Sequence, residues 1–269
     1  MDLSMLYSAP QDEKPLDNLV TDGGFCSVLR TIACIGDSLS SGEHESRSEK
    51  GYTGYHDFYE YSWGQYLARM AGLKAYNFSR GGLTCIDFLA RADAAGYWDK
   101  EKAAQAYIIA LGVNDLFRIS QGRFEFGDIN DVDVNDYKNN NASTFVGAYA
   151  TIIQRYKEIQ PKAKFFLMTI PRSNDTVRIE GEEKHSEILY KFAEMFDNTF
   201  VLDFRKYAPV YDEKFKDLFF LAGHMNAAGY LVTAKMVASY IDYIIRHNMD
   251  DFRQIGFVGT GFHNINYKW

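Results

Sequence analysis

Five short runs rich in β-branched and aromatic residues recur along this chain with helical patterns between them. That alternation constrains the fold more than any other feature. The runs cover residues 31–35, 74–78, 106–111, 164–170 and 199–204, and continuous apolar stretches of this length suit strands covered on both faces. Residues 63–70, 143–159, 182–196 and 227–247 carry apolar positions at helical spacing, the second of these stopped by Gln160-Pro161. Strand and helix in alternation predict an α/β fold with a mostly parallel five-stranded sheet. In such sheets ligands bind at the carboxyl ends of the strands, so chemistry is expected just after the five runs.

The remaining features bound the reading. No repeat or low-complexity linker divides the 269 residues, so one domain over 1–269 is expected, with a core at about 31–247 and flanking arms packed on it. A polar insertion at 41–61, with Gly42, Gly51 and Gly54 among charges and aromatics, follows the first strand at a place suited to a lid or specificity wall. The formal net charge is -7, and no basic run suits a nucleic-acid partner. Cys26, Cys34 and Cys85 are an odd number without ligand spacing, which points to buried free thiols in a reducing compartment. The N-terminal stretch has no basic-then-apolar leader pattern, and no apolar run reaches the ~20 residues of a membrane span. A cytoplasmic protein without a membrane partner is therefore expected. The 19 Tyr and 20 Phe exceed what a minimal core requires; packing is the favoured use, and a sugar-stacking groove the alternative.

Four short blocks carry the chemistry. Gly36-Asp37-Ser38-Leu39-Ser40 follows the first strand, where a serine hydroxyl can act as a nucleophile if a base takes its proton; alternatively Ser38 only caps the next helix. Asn77-Phe78-Ser79-Arg80-Gly81-Gly82 closes the second strand with glycines that permit backbone approach to a ligand. Gly112-Val113-Asn114-Asp115 ends the third, where the Asn114 amide can donate to an oxyanion without proton bookkeeping. Taken singly, these last two also read as ordinary turns. Gly223-His224-Met225-Asn226 precedes the last long helix, which Asn226 is placed to cap. His44, His56, His185, His247 and His263 default to solvated or satisfied surface positions.

In this order the blocks resemble the SGNH (GDSL) hydrolase family of serine esterases and lipases, over residues 31 to 247. The resemblance implies a flavodoxin-like three-layer αβα fold and ester hydrolysis. It makes Ser38 the nucleophile, His224 the general base, and Gly82 and Asn114 oxyanion donors beside the Ser38 amide, with Gly81 as the alternative to Gly82. No Gly-x-Ser-x-Gly elbow is present, which argues against an α/β-hydrolase.

One position departs from the family. Three residues before the base, where the family has Asp, stands Leu221. A backbone carbonyl near Leu221 or Ala222, in a Ser-His dyad, is the favoured orienter of His224; Asp217 and Asp203 are the alternatives. Arg80 and Arg172 are candidate contacts for an acidic substrate or headgroup. No metal-ligand spacing exists and no cofactor is implied. The expected function is hydrolysis of small acyl esters, with acetyl esters of carbohydrates as one class, through an acyl-serine intermediate. The alternatives are a lipase or thioesterase of the same fold, and a flavodoxin-like ligand-binding module without catalysis, receiving a phosphate at the first helix.

Overall fold

The five runs pair as one parallel sheet in the computed structural model, which describes residues 3–7, 12–174 and 179–269. The chain runs through β1 (Thr31–Gly36), α1 (Ser38–Ser41), β2 (Glu43–Arg47), β3 (Thr53–Asp57), α2 (Trp63–Ala71), β4 (Lys74–Ser79), α3 (Cys85–Arg91), β5 (Ala106–Ala110) and α4 (Val113–Ser120). It continues through α5 (Tyr137–Asn140), α6 (Phe145–Ile159), β6 (Lys164–Met168), α7 (Ile179–Met195), β7 (Thr199–Leu202), α8 (Phe204–Tyr207), α9 (Glu213–Phe219), β8 (Phe220–Leu221), β9 (His224–Met225), α10 (Ala227–His247) and α11 (Met249–Phe252).

The sheet order is β4-β1-β5-β6-β7. Counting only these five, that is the 2-1-3-4-5 order of flavodoxin-like folds, whose crevice opens where the winding reverses, here between β1 and β5. Alternation along each strand separates two cores. Ile32, Cys34, Ile108 and Phe166 face Trp63, Leu67, Val237 and Ile241 on α2 and α10. Ala33, Ile35, Tyr107, Ile109 and Phe165 face Phe88, Tyr149, Ile153 and Phe192 on α3, α6 and α7. A helix layer on each side of the sheet follows from this period of two. Most aromatic residues serve this packing: Tyr107 lies 4.2 Å from Tyr156 by ring centroids and Tyr149 stacks on Phe192. Fully burying one such side chain is worth roughly 1.5–3 kcal/mol.

The helix starts have local causes. Thr144 accepts from the Gly147 amide at α6, Asn226 from Gly229 at α10, and Asp203 from Lys206 at α8. The Asp203 cap ends the fifth run at Leu202, so Phe204 is helical and not part of the strand. The insertion at 41–61 holds an antiparallel hairpin, β2 on β3, with Glu43 opposite Asp57 and Glu45 opposite Tyr55. Both of its faces carry polar residues, so it lacks the hydrophobic alternation that marks a strand in sequence.

Both arms touch the body. The Phe25 amide donates to Asp242 on α10, and Arg30 donates to the Gly256 and Val258 carbonyls. Phe252 stacks on Phe166 and Phe200. Residues 1, 2 and 8–11 of the N-terminal arm lie outside the described residues. All three cysteines are buried and free. Among the described residues no helix is long and apolar enough to cross a membrane.

Candidate active site

The turn after β1 is built for close packing. A side chain at Gly36 would meet the Ser40 hydroxyl at 2.2 Å, so only glycine lets the strand turn directly into α1. Asp37, not Ser38, caps that helix, accepting from the Leu39 amide at 3.0 Å. The Ser38 hydroxyl is thus spared for other work and makes no hydrogen bond among the described residues. Ser38 is 9% exposed and lines a cavity of ≈ 480 Å³ with Glu43, Tyr55, Asp57, Arg80, Gly81, Gly82, Asn114 and His224.

The loops after β4 and β5 reach the same cavity. Arg80 to Leu83 form a turn closed by the Leu83 amide on the Arg80 carbonyl at 3.3 Å, and Gly82, at its third position, has φ +74°, a value that favours glycine. A side chain at Gly82 would meet open space, whereas one at Gly81 would strike the Glu43 carboxylate at 2.3 Å. The Asn114 amide nitrogen donates to Asp37 Oδ2 at 3.1 Å and to the Leu83 carbonyl at 3.3 Å. Asp115 beside it is fully buried and accepts from the Cys85 amide at the start of α3. Each strand-end loop is therefore tied to its neighbour through a side chain. Gly112 has φ +141°, and a side chain there would meet the His185 ring at 2.4 Å. His185 is fully buried, with Nε2 on the Leu111 carbonyl at 3.0 Å, so the surface position expected for it is corrected: it packs beneath the Asn114 turn.

His224 opens β9, opposite Leu221 across a two-residue turn in which Ala222 takes φ +58°. Its ring is held between two carboxylates of the inserted hairpin. Nε2 lies 3.0 Å from Glu43 Oε1, and Nδ1 lies 3.4 Å from Glu45 Oε2, which also accepts from the Gly223 amide at 2.9 Å. The orienters expected from sequence are not at the ring. Asp203 is committed to Thr169, Tyr190 and the Lys206 amide, and Asp217 is exposed on α9. Neither they nor the carbonyls of Leu221 and Ala222 bond His224 among the described residues. The sequence carried one signal for the true neighbours: Glu43 and Glu45 are two apart, so a strand there puts both on one face. Their cross-strand partners Asp57 and Tyr55 share that face, and Tyr55 packs edge-on to His224 at 5.4 Å. The other face carries His44, which packs against Phe58, Tyr61 and Tyr230.

The GDSL-like lipase/acylhydrolase family matches residues 34–232, most of the chain. The chain belongs to this family. As a GDSL hydrolase it is a carboxylic ester hydrolase. Solved structures with the same fold include a family two carbohydrate esterase from Clostridium thermocellum in complex with cellohexaose, at 18% identity over 82% of this chain and 65% of that one, TM-score 0.56. An acetyl xylan esterase, AlAXEase, aligns at 17% identity over 78% of this chain and 99% of that one, TM-score 0.51. A Corynascus thermopiles family two carbohydrate esterase with a carbohydrate-binding domain aligns at 18% over 79% and 65%, TM-score 0.52. No curated protein matches the sequence.

The electrostatics of this GDSL hydrolase site are acidic. Burial raises the Asp37 carboxyl to about 6, against the Leu39 amide and the nearby His224, which lower it. Burial likewise raises Asp115 to about 7 and moves Glu43 up from its ordinary value, with His224 opposing the shift at Glu43. The His185 imidazole goes the other way, down to about 4, because burial disfavours its cation. Arg80 is exposed, lines the cavity and makes no ion pair among the described residues. Arg172, the other candidate contact, is exposed and outside the cavity lining; its carbonyl accepts from Tyr211.

Proposed function

We propose that this hydrolase cleaves small acyl esters through an acyl-Ser38 intermediate, with His224 as general base. The observation that carries this is the convergence of Ser38, Gly82, Asn114 and His224 on one cavity at the reversal point of the sheet. Ser38 Oγ attacks the ester carbonyl while the imidazole takes its proton, then returns that proton to the leaving alcohol; water repeats the sequence on the acyl enzyme. The oxyanion is bound by the Ser38 and Gly82 amides and by Asn114, whose longer contact, to Leu83, is the one exchanged. Before it works as a base, Nε2 has to exchange Glu43 for Ser38.

Acetyl esters of carbohydrates are the proposed substrate class. The cavity is polar, and Tyr55 at its edge, packed edge-on to His224, is still 59% exposed and offers aromatic surface to a sugar. The names of the fold neighbours agree with this class but at their identities show only the fold. The test is labelling by a fluorophosphonate, beside hydrolysis of p-nitrophenyl esters of increasing chain length and of acetylated sugars. Labelling is expected at Ser38, and Ser38→Ala is expected to abolish both labelling and short-chain esterase activity. Labelling elsewhere, with activity kept in the variant, overturns the assignment. A preference for long acyl chains would move the substrate class to lipids or thioesters.

A further inference from the structure

We infer that Glu45, on the inserted hairpin, is the acidic positioning residue of His224 and replaces the acid that the loop lacks at Leu221. This rests on His224 being the base of the esterase reaction. Three observations converge on Glu45. Its Oε2 faces Nδ1 at 3.4 Å, the nitrogen whose proton must be held if Nε2 is to take one from serine. The same oxygen accepts from the amide of Gly223, the residue before the base, at 2.9 Å, so the carboxylate is anchored to the loop it serves. Its side chain is 9% exposed, and among the described residues its other oxygen has no ion-pair partner but the distant guanidinium of Arg47 at 3.9 Å.

Glu43 stands in a different relation to the ring. Its carboxylate is on Nε2 at 3.0 Å, makes no other hydrogen bond among the described residues, and projects over Gly81 into the cavity. It occupies the space and the nitrogen that substrate and Ser38 need, so it is the exchangeable partner and Glu45 the permanent one. The charged and titratable groups facing His224 are Glu43, Glu45, Asp57 and Tyr55 from the hairpin, Asp37 from the turn after β1, and Arg80 from the turn after β4.

Glu45→Gln is the informative change. The glutamine carbonyl oxygen still accepts from the Gly223 amide, so the loop keeps its tether while the ring loses the charge that favours its cation. With p-nitrophenyl acetate, the expected result is a kcat lower by ~10–10³, less than the ~10⁴ known for a close buried acid because the contact is long. KM should stay within about threefold, and the acidic limb of the kcat/KM profile should move to lower pH. A kcat within about threefold of wild type overturns the inference, as does a lower kcat with the limb unmoved, which marks a structural role. Either failure is distinct from failure of the esterase reading, which shows in Ser38→Ala.

Discussion

The strand-end loops and the inserted hairpin meet at one cavity but are built on different principles. The loops after β1, β4 and β5 leave neighbouring strands of a buried sheet and are bolted together by Asp37 to Asn114 and by Asp115 to the Cys85 amide. The hairpin is held from outside: Tyr230 on α10 donates to the Glu43 carbonyl at 2.6 Å, the Gly223 amide donates to Glu45, and Ser41 donates to Asp57. The loops present the Ser38 hydroxyl and the Asn114 amide at fixed spacing, and their charged groups, Asp37 and Arg80, make no ion pair with His224 among the described residues. The hairpin presents charge. The contrast teaches that the frame around Ser38 and Asn114 and the carboxylates at the His224 ring are separable parts of this site, carried by different stretches of chain; on the proposed mechanism they would divide positioning from electrostatic tuning.

If that division holds, the largest effect of the next changes falls on the loop side. Asn114→Ala should lower kcat by ~10–10³ with KM nearly unchanged, because the amide binds the developing oxyanion more tightly than the ground-state carbonyl. A change confined to KM would make Asn114 a substrate-binding residue and the loop more than a charge-neutral frame.

A smaller effect tests whether the hairpin's contribution is transferable. Leu221 lies directly opposite His224, and an acid there would occupy the position the family uses. Leu221→Asp introduced into Glu45→Gln is expected to recover roughly tenfold in kcat, a part of the loss that one carboxylate partner accounts for. No recovery would show that the hairpin supplies something besides charge.

The smallest effect probes the bolts between the loops. Asp115 is raised by burial from 3.8 to about 7, so the folded state holds its proton where the unfolded state does not. Its contribution to stability is therefore complete below about pH 4 and is lost as pH rises through 7. Asp115→Asn keeps an acceptor for the Cys85 amide and removes that loss. The Tm of the variant relative to wild type should rise by a few degrees between pH 5 and pH 8, as a difference of ~1 kcal/mol or more produces in a chain of this size. A pH-independent difference would mean that Asp115 is already ionised in the folded state at pH 5 and that burial does not hold its proton.

How far the site was legible follows the same division. Gly36 to Ser40, Gly81-Gly82 and Gly112 to Asp115 could be read because each is a local solution to a local problem: a strand must end, a turn must close, and glycine is needed where a neighbour comes too near. The Asn226 cap of α10 was readable for the same reason. Asp203 and Asp217 are acids close to His224 in sequence, yet one is consumed in capping α8 and the other is exposed on α9. Glu43 and Glu45 carry no local mark in the sequence, because a hairpin polar on both faces shows no hydrophobic period.

The sequence by itself determined the parallel sheet, the helices that cover it and the order in which the reactive blocks leave its strands, since apolar periodicity and turn chemistry act between residues a few positions apart. Only the tertiary structure decided which acids meet the His224 ring. Glu45 and His224 are separated by 179 positions, and a hydrogen bond between them depends on how the hairpin folds back over the β8–β9 turn, a distance that no local pattern encodes.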